Sequence, residues 1–263
     1  MIALIDYGAG NVRSVHKALE TVGADVRLAR DPGPIPDADK LVLPGVGAFG
    51  DCMAGLHRAG LVDALIQAIE QGKPLLGICV GMQVLFEEGE EMGRHAGLGL
   101  LPGRVIRFSF PALPRMSFIR PHPGESSVPH RIPIRPPCPR ERADRGRSEG
   151  KGSGSPPRLG EGADRGRSEG EGSPLKIPHT GWNQIEPVLP SPLLHDLPPG
   201  AWAYFNHAYF CQAAPAHVLA VTDYGGPFPS VVGLGHITGI QFHPEKSQHV
   251  GLHILRNFVE RVG

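Results

Sequence analysis

The stretch Pro74-Leu75-Leu76-Gly77-Ile78-Cys79-Val80-Gly81-Met82-Gln83 runs from an apolar segment into a glycine-flanked turn. Leu75, Leu76 and Ile78 read as a buried parallel strand, because a strand covered on both faces shows no polar alternation. Gly77-x-Cys79-x-Gly81 follows, and Met82-Gln83-Val84-Leu85-Phe86 takes up a helical pattern. Strand, tight turn and helix make the context of a nucleophile elbow, with cysteine as its central residue. Such a turn strains the central residue, and flanking glycines let neighbouring backbones come close. The free N–H groups at the start of the next helix would favour a thiolate. Apolar strands also bury inert cysteines, so this motif alone leaves both roles open.

On the N-terminal side, Ile2 to Ile5 reads as a short strand ending in Asp6-Tyr7-Gly8-Ala9-Gly10-Asn11. Val12, Val15, Ala18, Leu19 and Val22 then recur at helical spacing up to Gly23, and Val26 and Leu28 suggest a second strand. This βαβ order predicts an α/β fold, a three-layer, doubly wound and mostly parallel sheet. Gly8-x-Gly10 lacks the third glycine of a dinucleotide fingerprint. Leu41-Val42-Leu43 is a further strand, and the loop Pro44-Gly45-Val46-Gly47 lies at its carboxyl end, where open α/β sheets place ligands. Its glycines would let backbone N–H groups point into a site, as an oxyanion hole requires. Leu56 to Ile69 carries one amphipathic helical pattern.

Beyond the elbow, Glu87-Glu88-Gly89-Glu90-Glu91 reads as a solvated acidic face, and Leu98 to Phe108 as strand. From about 109 to 173 the composition changes to Pro, Gly, Ser, Arg and Glu, and the octapeptide Ala143–Gly150 recurs at Ala163–Gly170. Neither copy holds an apolar face, so a disordered surface insertion in a single domain spanning 1–263 is expected. Strand patterns resume around Leu175–Ile185 and recur at Ala201–Phe205, His217–Thr222, Val231–Leu234 and Ile237–Phe242, before a closing helix. His243 and Glu245 stand two residues apart at the end of the last strand, where extended geometry would put both on one side. A carboxylate there can hold the imidazole in the tautomer that a general base needs against Cys79.

The 263 residues carry 26 basic and 26 acidic side chains, which gives no global case for nucleic acid or an anionic membrane. The start enters a strand with no basic signal-peptide segment, and the four cysteines show neither disulfide nor zinc-ligand spacing. A reducing, cytoplasmic setting with no metal and no cofactor is the expectation.

Taken together, Pro44-Gly45-Val46-Gly47, Gly77-Ile78-Cys79-Val80-Gly81-Met82-Gln83 and His243-Pro244-Glu245 resemble the class I, triad-type glutamine amidotransferases. Asp6–Asn11, His179-Thr180-Gly181-Trp182-Asn183 and Gln241–Ser247 narrow the resemblance to the glutaminase subunits of imidazole glycerol phosphate synthase. It covers about 1–108 and 174–263. The resemblance implies Cys79 as nucleophile, His243 as base and acid, and Glu245 as its orienting carboxylate. It implies an oxyanion hole from Val80 and the Val46-Gly47 loop, and glutamine held by Gln83, Glu91 and the backbone at His207-Ala208-Tyr209. The family usually has serine where this chain has Ala208. It also implies a (β/α)₈-barrel cyclase partner that receives the ammonia. The alternatives are another triad amidotransferase or a stand-alone γ-glutamyl hydrolase, and a non-catalytic binding subunit or decayed paralogue.

Overall fold

The computed structural model describes residues 1–8, 10–109 and 175–263. The repeat-bearing insertion and Cys138 lie outside the described residues. The first βαβ unit is β1 (Ile2–Ile5), α1 (Val12–Thr21) and β2 (Val26–Ala29), with β1 buried along its whole length. Next come β3 (Lys40–Gly45), α2 (Phe49–Arg58), α3 (Leu61–Glu70), β4 (Leu75–Cys79) and the single turn α4 (Val80–Gln83). Then follow β5 (Phe86–Gly89), β6 (His95–Ala96), β7 (Leu101–Arg107), β8 (His179–Pro187), β9 (Ala201–His207) and β10 (Tyr209–Ala213). The chain ends with β11 (Val218–Asp223), β12 (Pro227–Leu234), β13 (Ile237–Ile240) and α5 (Gln248–Arg261).

The main sheet has the order β2-β1-β3-β4-β13-β12-β11-β8-β9. Pairing is parallel from β2 to β13 and antiparallel from β13 to β9, so the doubly wound half carries an antiparallel extension. A second sheet, β10-β7-β5-β6, holds the segment after the elbow. The central strand β4 is buried at every residue, and each large apolar side chain there contributes about 1.5–3 kcal/mol by leaving water.

Register delivers the site. Gly45 of β3 lies opposite Cys79, and Ile240 of β13 lies opposite Ile78. Three parallel neighbours therefore end together. The Val46-Gly47 loop, Cys79 and His243 emerge side by side at the carboxyl edge of the sheet, the usual place for a ligand in such folds.

Three local expectations are corrected. The pattern Leu56–Ile69 is two helices, because Gly60 takes a left-handed φ of 67° between α2 and α3. The elbow helix stops after one turn, and Phe86 enters β5. Leu85 O accepts hydrogen bonds from Leu100 N and Leu101 N (2.8 and 2.9 Å), so its partners come from across the second sheet. One turn supplies local N–H donors but no extended dipole for the thiolate. Finally, Pro244–Lys246 is a 3₁₀ turn rather than extended chain, with Pro244 in the first-turn position that its fixed φ suits.

Candidate active site

Cys79 is the strained residue of the elbow, with φ 56° and ψ −113° and only 3% exposure. For a non-glycine residue this conformation costs about 1–3 kcal/mol and persists only when its surroundings enforce it. Here they do: β4 pairs on both sides up to the turn, and Gly81 packs directly on the backbone of Leu43. The sulfur lies 3.8 Å from Gln241 Nε2 and close enough to His243 to act on the protonation of its imidazole.

His243 Nδ1 and Glu245 Oε1 are 3.0 Å apart, and Asn11 Nδ2 donates to the same oxygen at 3.3 Å. The 3₁₀ turn is fastened at both ends. His243 N donates to Tyr204 O, and Ser247 Oγ accepts from Tyr204 N (2.9 Å) while donating to His243 O (2.6 Å). The turn, not an extended strand, brings carboxylate and imidazole together. Burial by itself would lower the imidazole's pKa. Hydrogen bonds to Cys79 and Glu245, with the charges of both, outweigh burial and push it from 6.5 to about 10. At neutral pH His243 therefore holds a proton.

A raised folded-state value has a defined consequence for stability. The stabilisation is complete below pH 6.5 and is lost as pH rises towards 10. Glu245→Gln removes one of its sources. The gap in Tm between wild type and this variant is expected to be widest near pH 6 and to narrow steadily by about pH 9.5. A gap independent of pH would mean that Glu245 does not bias the His243 proton.

A cavity of about 260 Å³ opens over these groups. Val46, Gly47, Cys79, Val80, Gln83, Glu91, His207, Ala208, Tyr209 and His243 all line it. Glu245 stands behind His243, its side chain 1% exposed. Gly47 has φ 93°, which gives the loop beside Cys79 a left-handed bend that favours glycine. Glu91 leaves the solvated acidic run: its Oε2 accepts from Phe49 N at 2.7 Å, capping α2 where Ala48 offers no side-chain cap. It thereby ties down the far end of the Val46-Gly47 loop. Gln83 Nε2 donates to Tyr209 O (3.0 Å) and to Gln241 Oε1 (3.1 Å). With both hydrogens committed, Gln83 can offer a ligand its carbonyl oxygen.

Pro178, Asn206 and Lys246 also line the cavity, and sequence reasoning gave them no role. Sequence gives Gln241 no separate role either. Its spacing of two from His243 was the signal available for it.

Cysteine on a strained strand–helix turn, a paired imidazole and carboxylate, and an adjoining glycine loop are the parts of a thiol acyl-transfer site. The family model for class I glutamine amidotransferases matches residues 3–262. The chain belongs to this family. Imidazole glycerol phosphate synthase subunit HisH of Syntrophotalea carbinolica is 40% identical, over 98% of both chains. The HisH subunit of Symbiobacterium thermophilum is 41% identical over 98% of this chain and 92% of its own. Solved structures agree in fold. A glutamine amidotransferase crystal structure gives a TM-score of 0.60 at 17% identity, covering 98% of this chain and 97% of that one. PurLQS from Thermotoga maritima gives 0.61 at 15% identity, covering 100% and 98%. Among the described residues of this amidotransferase, no helix is long and apolar enough to cross a membrane.

Proposed function

We propose that this chain is the glutaminase subunit of an imidazole glycerol phosphate synthase, working in the cytoplasm with a separate (β/α)₈-barrel cyclase. The observation that carries the reading is the pair of Cys79 and His243 lining one cavity, with Glu245 hydrogen-bonded behind His243 at 3.0 Å. His243 already holds the proton drawn from the Cys79 thiol, and the sulfur attacks the carboxamide carbon of glutamine. The N–H of Val80 and one from the Val46-Gly47 loop receive the oxyanion, where charge develops. His243 then delivers its proton to the departing ammonia, leaving a γ-glutamyl thioester. Water activated by the same imidazole cleaves the thioester, and glutamate leaves. Glu245 holds the ring throughout, supported by Asn11. Gln83, Glu91 and the main chain at His207-Ala208-Tyr209 hold the amino-acid end of the substrate. Ala208 contributes through its backbone, whose carbonyl takes Phe108 N at 3.0 Å. On this reading the serine usual at that position is dispensable.

The deciding experiment measures glutamate release from glutamine, with and without the cyclase subunit and its nucleotide ligand. Stimulation by the partner is the expected result. Turnover indifferent to the partner would favour a stand-alone glutaminase, and a folded but inactive protein under both conditions would overturn the assignment.

A further inference from the structure

Two buried histidines that the triad does not use stand at the cavity, His207 in its wall and His179 behind His207. His179 on β8 and His207 on β9 are 3% and 6% exposed and oppose one another in the β8–β9 register. His179 Nδ1 and His207 Nε2 lie 3.0 Å apart, and His207 Nδ1 lies 2.8 Å from Tyr209 O. At the other end, Asn183 Nδ2 lies 3.3 Å from His179 Nε2. The ring of His179 is held between Tyr224 and Phe205, with stacked centroids 4.0 and 4.8 Å away.

The proton positions in this row of hydrogen bonds follow from its ends. Asn183 Nδ2 also meets Asp223 O (2.8 Å), and its Oδ1 meets Gln184 N (2.8 Å), so the amide orientation is fixed and Nδ2 donates. His179 Nε2 must therefore accept, and its proton sits on Nδ1. That proton is donated to His207 Nε2, which leaves His207 protonated at Nδ1 and donating to Tyr209 O. A carbonyl only accepts, so the assignment reached from Asn183 agrees with the one reached from Tyr209. A second proton on either ring would set donor against donor. Burial, which lowers the pKa of His179 to about 4 and of His207 to about 3, keeps both neutral in agreement with this count.

Tyr209 O is also the acceptor for Gln83 Nε2, whose other hydrogen goes to Gln241, whose own amide faces the Cys79 sulfur. We infer that His179 and His207 are positioning residues for glutamine hydrolysis. Their one-way row of hydrogen bonds from Asn183 fixes the Tyr209 carbonyl, and with it the orientation of Gln83 and Gln241 at the cavity. The inference rests on the glutaminase reading given above.

The test uses the chain with its cyclase partner. His207→Ala removes the donor to Tyr209 O and is expected to raise KM for glutamine about tenfold, the scale of one well-placed hydrogen bond, with a much smaller change in kcat. His207→Asn can replace the Nδ1 donor and is expected to recover most of that loss. A folded His207→Ala with unchanged KM, or a loss that His207→Asn does not recover, would overturn the proposal. A wild-type complex without glutaminase activity would instead overturn the reading on which it rests. Should the variants fail to fold, ¹⁵N spectra of histidine-labelled Cys79→Ala protein at neutral pH decide the matter. Both imidazoles are expected as Nδ1–H tautomers, and both resonances move when glutamine is added. An Nε2–H tautomer at either ring, or no response to glutamine, would refute the coupling.

Discussion

Cys79→Ala is expected to remove glutamine hydrolysis, with a loss of about 10⁴-fold or more, while the protein stays folded. Among the described residues, no other cysteine lines the cavity. The other described cysteines, Cys52 and Cys211, are buried, and burial pushes the thiols of both up, Cys52 to about 12. The substitution itself is gentle. It removes one sulfur from a site 3% exposed and keeps the same strained backbone, so Tm should stay within about 4 °C of wild type. A second readout follows from the electrostatics of His243. Two of the influences that hold its pKa up come from Cys79. Without the thiol, burial regains ground and the imidazole's pKa should fall towards its ordinary range in an NMR titration. With the proposed cyclase partner, synthesis from added ammonia should survive where synthesis from glutamine does not. Residual glutamine hydrolysis near the wild-type rate would place the nucleophile elsewhere. Loss of the ammonia-dependent reaction as well would mean that this chain does more than supply ammonia.

The parts of this site that sequence reveals are those whose chemistry needs a fixed residue type at short range. Gly77-x-Cys79-x-Gly81 after an apolar run admits few other structures, and His243 with Glu245 keeps its partner two residues away. Register then aligns what sequence could only place separately: Gly45, Cys79 and the end of β13 meet because three parallel strands stop at one level. Pairing partners are long-range facts, invisible to periodicity. The same limit hid the destination of Phe86, which local pattern assigns to a helix and which its pairing with Leu101 of β7 draws into a strand. It also hid Gln241 and His179, whose roles depend on what lies opposite them in space. The single helix read over Leu56–Ile69 failed for a different reason. Apolar spacing continues through the Ala59-Gly60 step, and only the left-handed turn at Gly60 separates the two helices.

Gly81→Ala should be among the most damaging small substitutions in the chain, although helix propensity argues the other way. Gly81 lies within α4, and exchanging glycine for alanine inside a helix ordinarily stabilises by about 1 kcal/mol. Here a Cβ would stand 1.9 Å from Leu43 O and 2.9 Å from Leu43 C. Those are backbone atoms of β3, and no rotamer can move them aside. The contact is reciprocal, since a Cβ on Gly45 would meet Gly81 N at 2.4 Å. Elbow and strand touch main chain to main chain, so relief requires β3 to separate from the end of β4. Overpacking of this kind costs about 3 kcal/mol or more, a drop of roughly 10 °C in Tm. Gly23→Ala is the control. Gly23 has φ 88° with nothing within 4 Å of the added atom, so it tests left-handed strain alone, about 1–2 kcal/mol. Equal losses in the two variants would show that the elbow relaxes without cost. A larger loss at Gly81 should come with weakened turnover even in the folded fraction. Whatever displaces Gly45 also displaces the Val46-Gly47 loop that follows it, and donors aimed at a developing oxyanion act only at hydrogen-bonding distance. Stability and catalysis fail together at Gly81 because one backbone contact sets both the strain on Cys79 and the place of the loop beside it.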